Sequence, residues 1–274
     1  MAKRLAKDFR SIRKMLPHEA FAISEGMDIP PTDLVSKATW DGIMHLPDDV
    51  SLRISAHDGI RLELLYSLWG GWVEAIGLEQ TDEIFNSMLD AGVCFQSAAF
   101  NFLSGFYRTA IADLRTALEL TTIGTFGQLY PTDPSYLEWK AGASEMFGFS
   151  SCRKVLSGSL RKGQAKWLFE KDGNLAQIFK KLCSYTHSRP DASDGALWQS
   201  NGPVYNNEAI RLVVHTALDV YAYCHLLVRI ARPNEPLPKD SEILYELDWM
   251  TNHHELVKGY TELFGRPPNP PMKD

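Results

Sequence analysis

Two arginines and a glutamate share one side of a helical register. Arg108, Arg115 and Glu119 fall at i, i+7 and i+11 on the stripe Ser104, Arg108, Ala112, Arg115, Glu119. Lining a cleft, two guanidinium groups at that spacing would bind an anion. The same residues also fit a plainer reading, in which Arg115 and Glu119 form an i,i+4 pair on a solvated face, worth about 0.2–0.5 kcal/mol. A histidine stands further along, in the run Tyr185-Thr186-His187-Ser188-Arg189-Pro190. Pro190 disfavours helix at Arg189, so His187 is expected at a helix C-terminus, where the carbonyl end favours a protonated imidazole. That gives His187 a structural reason to be there as well as a chemical one. A third group aligns Glu208, Arg211, His215 and Asp219 at i, i+3, i+7 and i+11. A His–Asp pair four residues apart fixes an imidazole tautomer and raises its pKa. It equally makes a hydrogen-bonded polar ladder between packed helices. His225 lies on another face and is expected to pack.

The elements that must position these residues read as helices. Val93 to Gly124 runs without proline as one long amphipathic helix, some 45 Å at about 1.5 Å per residue, ending at Gly124. Phe102, Phe106, Ala110, Leu114 and Ala117 give it a core face, and Gly105 would bend it or mark close packing. Residues 58–77 carry Ile60, Leu64, Leu65, Leu68 and Trp72 in register. A helix starting at Thr81-Asp82-Glu83 is set off from the long one by Gly92. Residues 173–188 bury Leu175, Ile178, Phe179, Leu182 and Tyr185, with Asn174 as the N-cap, and 207–231 form a second strong helix. A last helix spans 241–264. Residues 17–50, broken by Pro17, Gly26, Pro30-Pro31 and Pro47, read as an irregular connector with Trp40 and Ile43 to bury. No strand alternation persists.

Composition bounds the function. The chain has 274 residues, 45% apolar and 23% charged, with a net charge of −6. That is ordinary globular composition, and an overall acidic balance lends nucleic-acid binding no support beyond a local patch. Cys94, Cys152, Cys183 and Cys224 form no CxxC pair, so neither a zinc site nor a disulfide framework is expected and a reducing, cytoplasmic compartment is. GxxxxGK[ST] and HExxH are absent, so no cofactor and no metal ligand set is expected. No apolar run reaches the roughly twenty residues of a membrane span, and no secretory signal is visible.

Residues 1–16 stand apart. Leu5, Phe9, Ile12 and Leu16 share one helical face, and six basic side chains face a single acidic one, Asp8. A basic amphipathic helix lies on an anionic membrane, on nucleic acid or on an acidic partner, or docks through its apolar face on its own acidic body. The organisation expected is therefore this helix at 1–16, one bundle domain over 17–264 and a proline-rich tail at 265–274.

The run Tyr107 to Leu120, of the form YRxAxxxLRxALEL, together with a later helix ending in Ser184-Tyr185-Thr186-His187-Ser188-Arg189, resembles HEPN-type helical proteins over about a third of the chain. That family includes metal-independent ribonucleases, often toxins or antiviral effectors, and inactive members that only bind partners. Its nucleases carry an arginine a few residues ahead of a histidine on a late helix, and here Lys181 stands at that position before His187. The resemblance implies RNA cleavage without metal: His187 or His215 as base toward the 2′-hydroxyl, Arg115, Arg189 or Arg211 stabilising the phosphorane, and Glu119 orienting one of them. Arg108 would add a binding contact.

The expectation is an all-α, single-domain helical bundle of roughly seven to nine helices. Its function reads as a HEPN-like ribonuclease or toxin in stress or phage defence, with His187, Arg115 and Glu119 catalytic and Arg108, Arg189, Arg211 and His215 binding RNA. The alternative is a non-enzymatic interaction protein, antitoxin-like or an adaptor, with a protein partner or a homodimer face.

Overall fold

A computed structural model of the chain describes residues 37–76, 82–144, 148–159, 166–186, 202–233 and 261. Those residues form nine helical segments and no strand, so the all-α bundle expected from the sequence is what the described residues build. In order they are α1 (Lys37–His57), α2 (Gly59–Ile76), α3 (Ile84–Leu103), α4 (Tyr107–Leu129), α5 (Pro134–Lys140), α6 (Phe149–Ser159), α7 (Lys166–Phe169), α8 (Asn174–Thr186) and α9 (Asn207–Ala231). The segments 1–16 and 265–274, and the expected helix at 241–264 apart from the helical Thr261, lie outside the described residues.

α4 is the hub. It packs along α3, α9, α8 and α6, and its core residues Ala110, Ile111, Leu114, Ala117 and Leu118 are all but inaccessible. Around it Trp72, Phe95 and Tyr221 meet edge to face, with centroids 5.2–6.1 Å apart, and join α2, α3 and α9.

The single long helix expected over 93–124 is two. The first part belongs to α3, which begins at Ile84 and runs through Gly92; the second belongs to α4, which continues past Gly124 to Leu129. The break falls at Gly105. The Gly105 N–H bonds the Phe102 carbonyl at 3.0 Å and the Phe106 N–H bonds that of Asn101 at 2.8 Å. With Gly105 at φ +79°, this is a Schellman ending with glycine in the left-handed position. Period alone could not show it, because the apolar spacing carries straight across the turn.

The two glycines expected to end helices serve packing. A Cβ on Gly92 would lie 3.2 Å from Trp72 Cδ1, and one on Gly124 would lie 2.5 Å from Ser87 Cβ. Each lets a neighbouring helix close in. On either side of Gly124 the buried hydroxyls of Thr122 and Thr125 donate to the carbonyls four residues back at 2.7 and 2.8 Å, so polar residues continue α4 inside the core.

α1 corrects the reading of 17–50 as a connector, since it is helical from Lys37 and runs through Pro47. An interior proline costs a helix about 3 kcal/mol, set here against the burial of Val50 and Ile54 in the core. Ser51 Oγ bonds the Pro47 carbonyl at 2.7 Å and the Leu103 carbonyl, at the end of α3, at 3.0 Å. Ile43 and Ile60, both expected to be buried, are 60% and 84% exposed. α9 matches its expected bounds, with the Asn206 side chain accepting from the Glu208 and Ala209 N–H groups at 3.0 and 3.1 Å.

Candidate functional site

Arg108, Arg115 and Glu119 project from α4 toward α8 and the start of α6. Arg108 Nε donates to the Tyr185 carbonyl in the last turn of α8 at 3.4 Å. Two turns along α4, Arg115 Nη2 lies 3.3 Å from Glu119 Oε2, the i,i+4 pair read from the sequence. The Arg115 Nε donates to Cys183 Sγ at 3.2 Å, and its guanidinium carbon lies 4.8 Å from the centre of the Phe179 ring. Phe179 stacks in turn on Phe149, the first residue of α6, with centroids 3.9 Å apart and planes within 8°. Gly148, just before α6, comes close enough that a Cβ there would sit 3.7 Å from Glu119 Oε1.

The local sequence explains this arrangement. Phe179 and Cys183 are four residues apart on α8, so both present to the same stretch of α4. Leu175, Ile178 and Leu182 seat α8 in the core, and Gly173 precedes it where a Cβ would meet the Trp167 carbonyl at 2.7 Å. The helix begins at Asn174, one residue earlier than an Asn174 cap would place it.

Arg115 thus has a carboxylate, a sulfur and an aromatic face around it, yet its side chain keeps 30% of its exposure and that of Glu119 27%. Such a pair is worth about 0.3–0.5 kcal/mol and an exposed cation–π contact about 0.5–1. The group can strut two helices together. It can also offer its remaining N–H donors to an anion, though Glu119 beside it offsets the charge.

Arg211 and His215 do not join this cluster. Both are exposed on α9, two residues either side of Val213, which faces Leu114 of α4. They therefore lie on the far side of α9. Glu208 is exposed with them and Asp219 is half-buried, so the first three members of the ladder face solvent. His225 is buried and stacks on Tyr221 at 6.1 Å, as expected of a packing residue. His187 and Arg189 lie outside the described residues.

The four cysteines are free thiols. Burial pushes Cys94 up to about 11 and Cys152 and Cys224 up to about 12, which keeps all three protonated and unreactive at neutral pH. Among the described residues no three His, Cys, Asp or Glu side chains converge, and no helix is long and apolar enough to cross a membrane. A void of about 10 Å³ between Leu65, Phe95, Leu114 and Val213 is lined by apolar side chains and offers no reactive group.

Sequence reasoning missed two polar centres. At the end of α9, Arg232 grips Asp82 with two hydrogen bonds, Nε to Oδ2 at 2.6 Å and Nη2 to Oδ1 at 2.7 Å, while Nη1 donates to the Ile76 carbonyl at 3.1 Å. At the α1–α2 junction, buried Asp58 accepts from Arg61 and, at 2.8 Å, from Tyr205 Oη. Tyr107 Oη donates to the neighbouring Val204 carbonyl at 2.8 Å, and burial pushes that phenol up to about 12. Residues up to 156 positions apart meet here, and helical spacing carries no signal for that. Phe179 and Cys183, by contrast, stand four apart on one helix, a local spacing that the sequence does carry.

Protein-family models, curated proteins and solved structures were all compared with the chain, and none matches it.

Proposed function

We propose that this chain is a non-enzymatic helical interaction protein, an adaptor or antitoxin-like partner. One observation carries the reading: the Arg115 guanidinium is taken up by its own fold, by Glu119, Cys183 and the Phe179 ring. A guanidinium meant for a phosphorane needs its donors aimed at the position where charge develops. Here Nε ties α4 to α8 and Nη2 meets Glu119 on α4 itself. The test is incubation of the purified full chain with single-stranded and hairpin RNA in the presence of EDTA. Cleavage no greater than that by His187→Ala is expected. Cleavage that His187→Ala abolishes would overturn the proposal.

A second reading, the HEPN-like ribonuclease, is favoured by a separate observation. Arg108 reaches the Tyr185 carbonyl and Arg115 reaches Cys183, so both arginines sit against the end of α8, and His187 follows Tyr185 by two residues in the sequence. In that reading His187 takes the 2′-hydroxyl proton, Arg108 and Arg115 stabilise the charged phosphorane, and Glu119 orients Arg115. Arg115→Lys separates the two. It keeps the charge but loses the planar fork, so a nuclease would lose rate while an adaptor would keep its partner affinity.

A further inference from the structure

α2 and α3 form an antiparallel pair: Trp72 Nε1 donates to the Met88 carbonyl at 2.8 Å near one end, and Leu65 lines a common void with Phe95 and Ala98 near the other. The side of this pair turned away from the core carries several exposed apolar residues. Val93 and Phe100 of α3 are 64% and 68% exposed, Tyr66 of α2 is 62% exposed, and Leu89 and Val73 are nearly half exposed. Single exposed apolar residues are ordinary, but a row of them on adjoining helices marks a surface that meets another element. The row on α3 is Leu89, Val93, Gln96 and Phe100, at i, i+4, i+7 and i+11. Its ionisable rim is acidic. Glu63, Glu74 and Asp90 are exposed, α3 has no basic residue, and the one arginine of α2, Arg61, is held by Asp58.

We propose that this face is the docking surface for residues 1–16 of the same chain. Leu5, Phe9, Ile12 and Leu16 repeat the spacing of the α3 row, i, i+4, i+7 and i+11. Two helical rows of equal pitch, about 16 Å from first to last residue, lie side by side with their side chains interleaved. The charges match as well: Lys3, Arg4, Lys7, Arg10, Arg13 and Lys14 meet a rim of carboxylates. A second copy of the same face would bring Glu63, Glu74 and Asp90 against their own kind, which is repulsive. The intervening residues 17–36 reach up to about 70 Å when extended, enough to place 1–16 anywhere along a helix pair of this size. The proposal holds whether or not the chain cleaves RNA.

Amide hydrogen exchange on the full chain, read by mass spectrometry, tests it, with sedimentation equilibrium run alongside. In the parent, residues 5–16 are expected to exchange at least about tenfold more slowly than unstructured chain. Val93→Arg places a cation at an exposed position facing the basic segment. It is expected to abolish that protection and leave α4 and α9 unchanged, which shows that the bundle is intact. Phe9→Asp is expected to do the same and to speed exchange over 86–100. Residues 5–16 exchanging as free chain in the parent would overturn the proposal. So would protection that survives Val93→Arg, or a dimer that Val93→Arg dissociates while exchange over 1–16 stays the same.

Discussion

Arg115 and Arg232 each fasten one helix to a distant part of the chain, and they do it differently. Arg232 is 4% exposed and grips both oxygens of Asp82 in the fork geometry that suits a guanidinium. Arg115 is 30% exposed, meets one oxygen of Glu119 at 3.3 Å, and otherwise leans on a thiol and a ring. The first is a dry latch whose loss strands a charge in the core. The second is a wet strut whose loss is absorbed by water. The comparison shows which arginine the fold depends on and which it can lose cheaply.

The largest expected effect comes from breaking the latch on the acidic side. Asp82→Ala leaves the Arg232 guanidinium buried without its carboxylate, and a loss of about 3–5 kcal/mol in urea unfolding is expected. Adding Arg232→Met should restore part of that loss, since an apolar side chain in the same space no longer needs a partner. A single Asp82→Ala variant within about 1 kcal/mol of the parent would erase the distinction between the two arginines.

Arg115→Ala should cost far less, on the order of 1 kcal/mol by the same measurement, because a partly exposed pair and one ring contact are all it removes. A cost equal to that of Asp82→Ala would mean the strut is a second latch.

The smallest effect is expected at Glu83, next to the latch but at the surface. Its hydrogen bond from Lys140 at 2.5 Å, and secondarily that from Tyr136 at 3.0 Å, hold its carboxyl below the ordinary value of 4.5. A carboxylate whose pKa is depressed by folding adds stability above its unfolded pKa and loses it as pH falls through the folded one. Glu83→Gln should therefore flatten the decline in melting temperature below about pH 4.5 and leave the decline at higher pH unchanged. An unaltered acid limb would show that this surface pair contributes nothing.

How much of this was legible depended on range. α9 could be bounded to the residue, because its apolar period is unbroken from Ala209 to Ala231 and Asn206 caps it. The Arg115–Glu119 pair and the buried face of α8 came from spacing within one helix. α1 was missed because Pro47 reads as a break, and the burial of Val50 and Ile54 that offsets it is a tertiary fact. Asp82 looked like a helix-start carboxylate, and nothing local announces a partner 150 residues away. The ladder from Glu208 to Asp219 was spaced for contact, yet spacing cannot say whether a neighbouring helix covers it.

The turn at Gly105 has a consequence for assembly. Helical spacing continues across it, so the reversal between α3 and α4 depends on one left-handed residue, whose added Cβ would meet Val204 N and Val50 Cγ1, each at 2.9 Å. Were the reversal lost, α3 and α4 would straighten into one rod, and each half could complete the bundle of a neighbouring molecule by domain exchange. Gly105→Ala is expected to move protein from the parent's peak into a domain-exchanged species of twice the mass on size-exclusion chromatography, and a variant that keeps the parent's peak and stability would show that the reversal is held elsewhere.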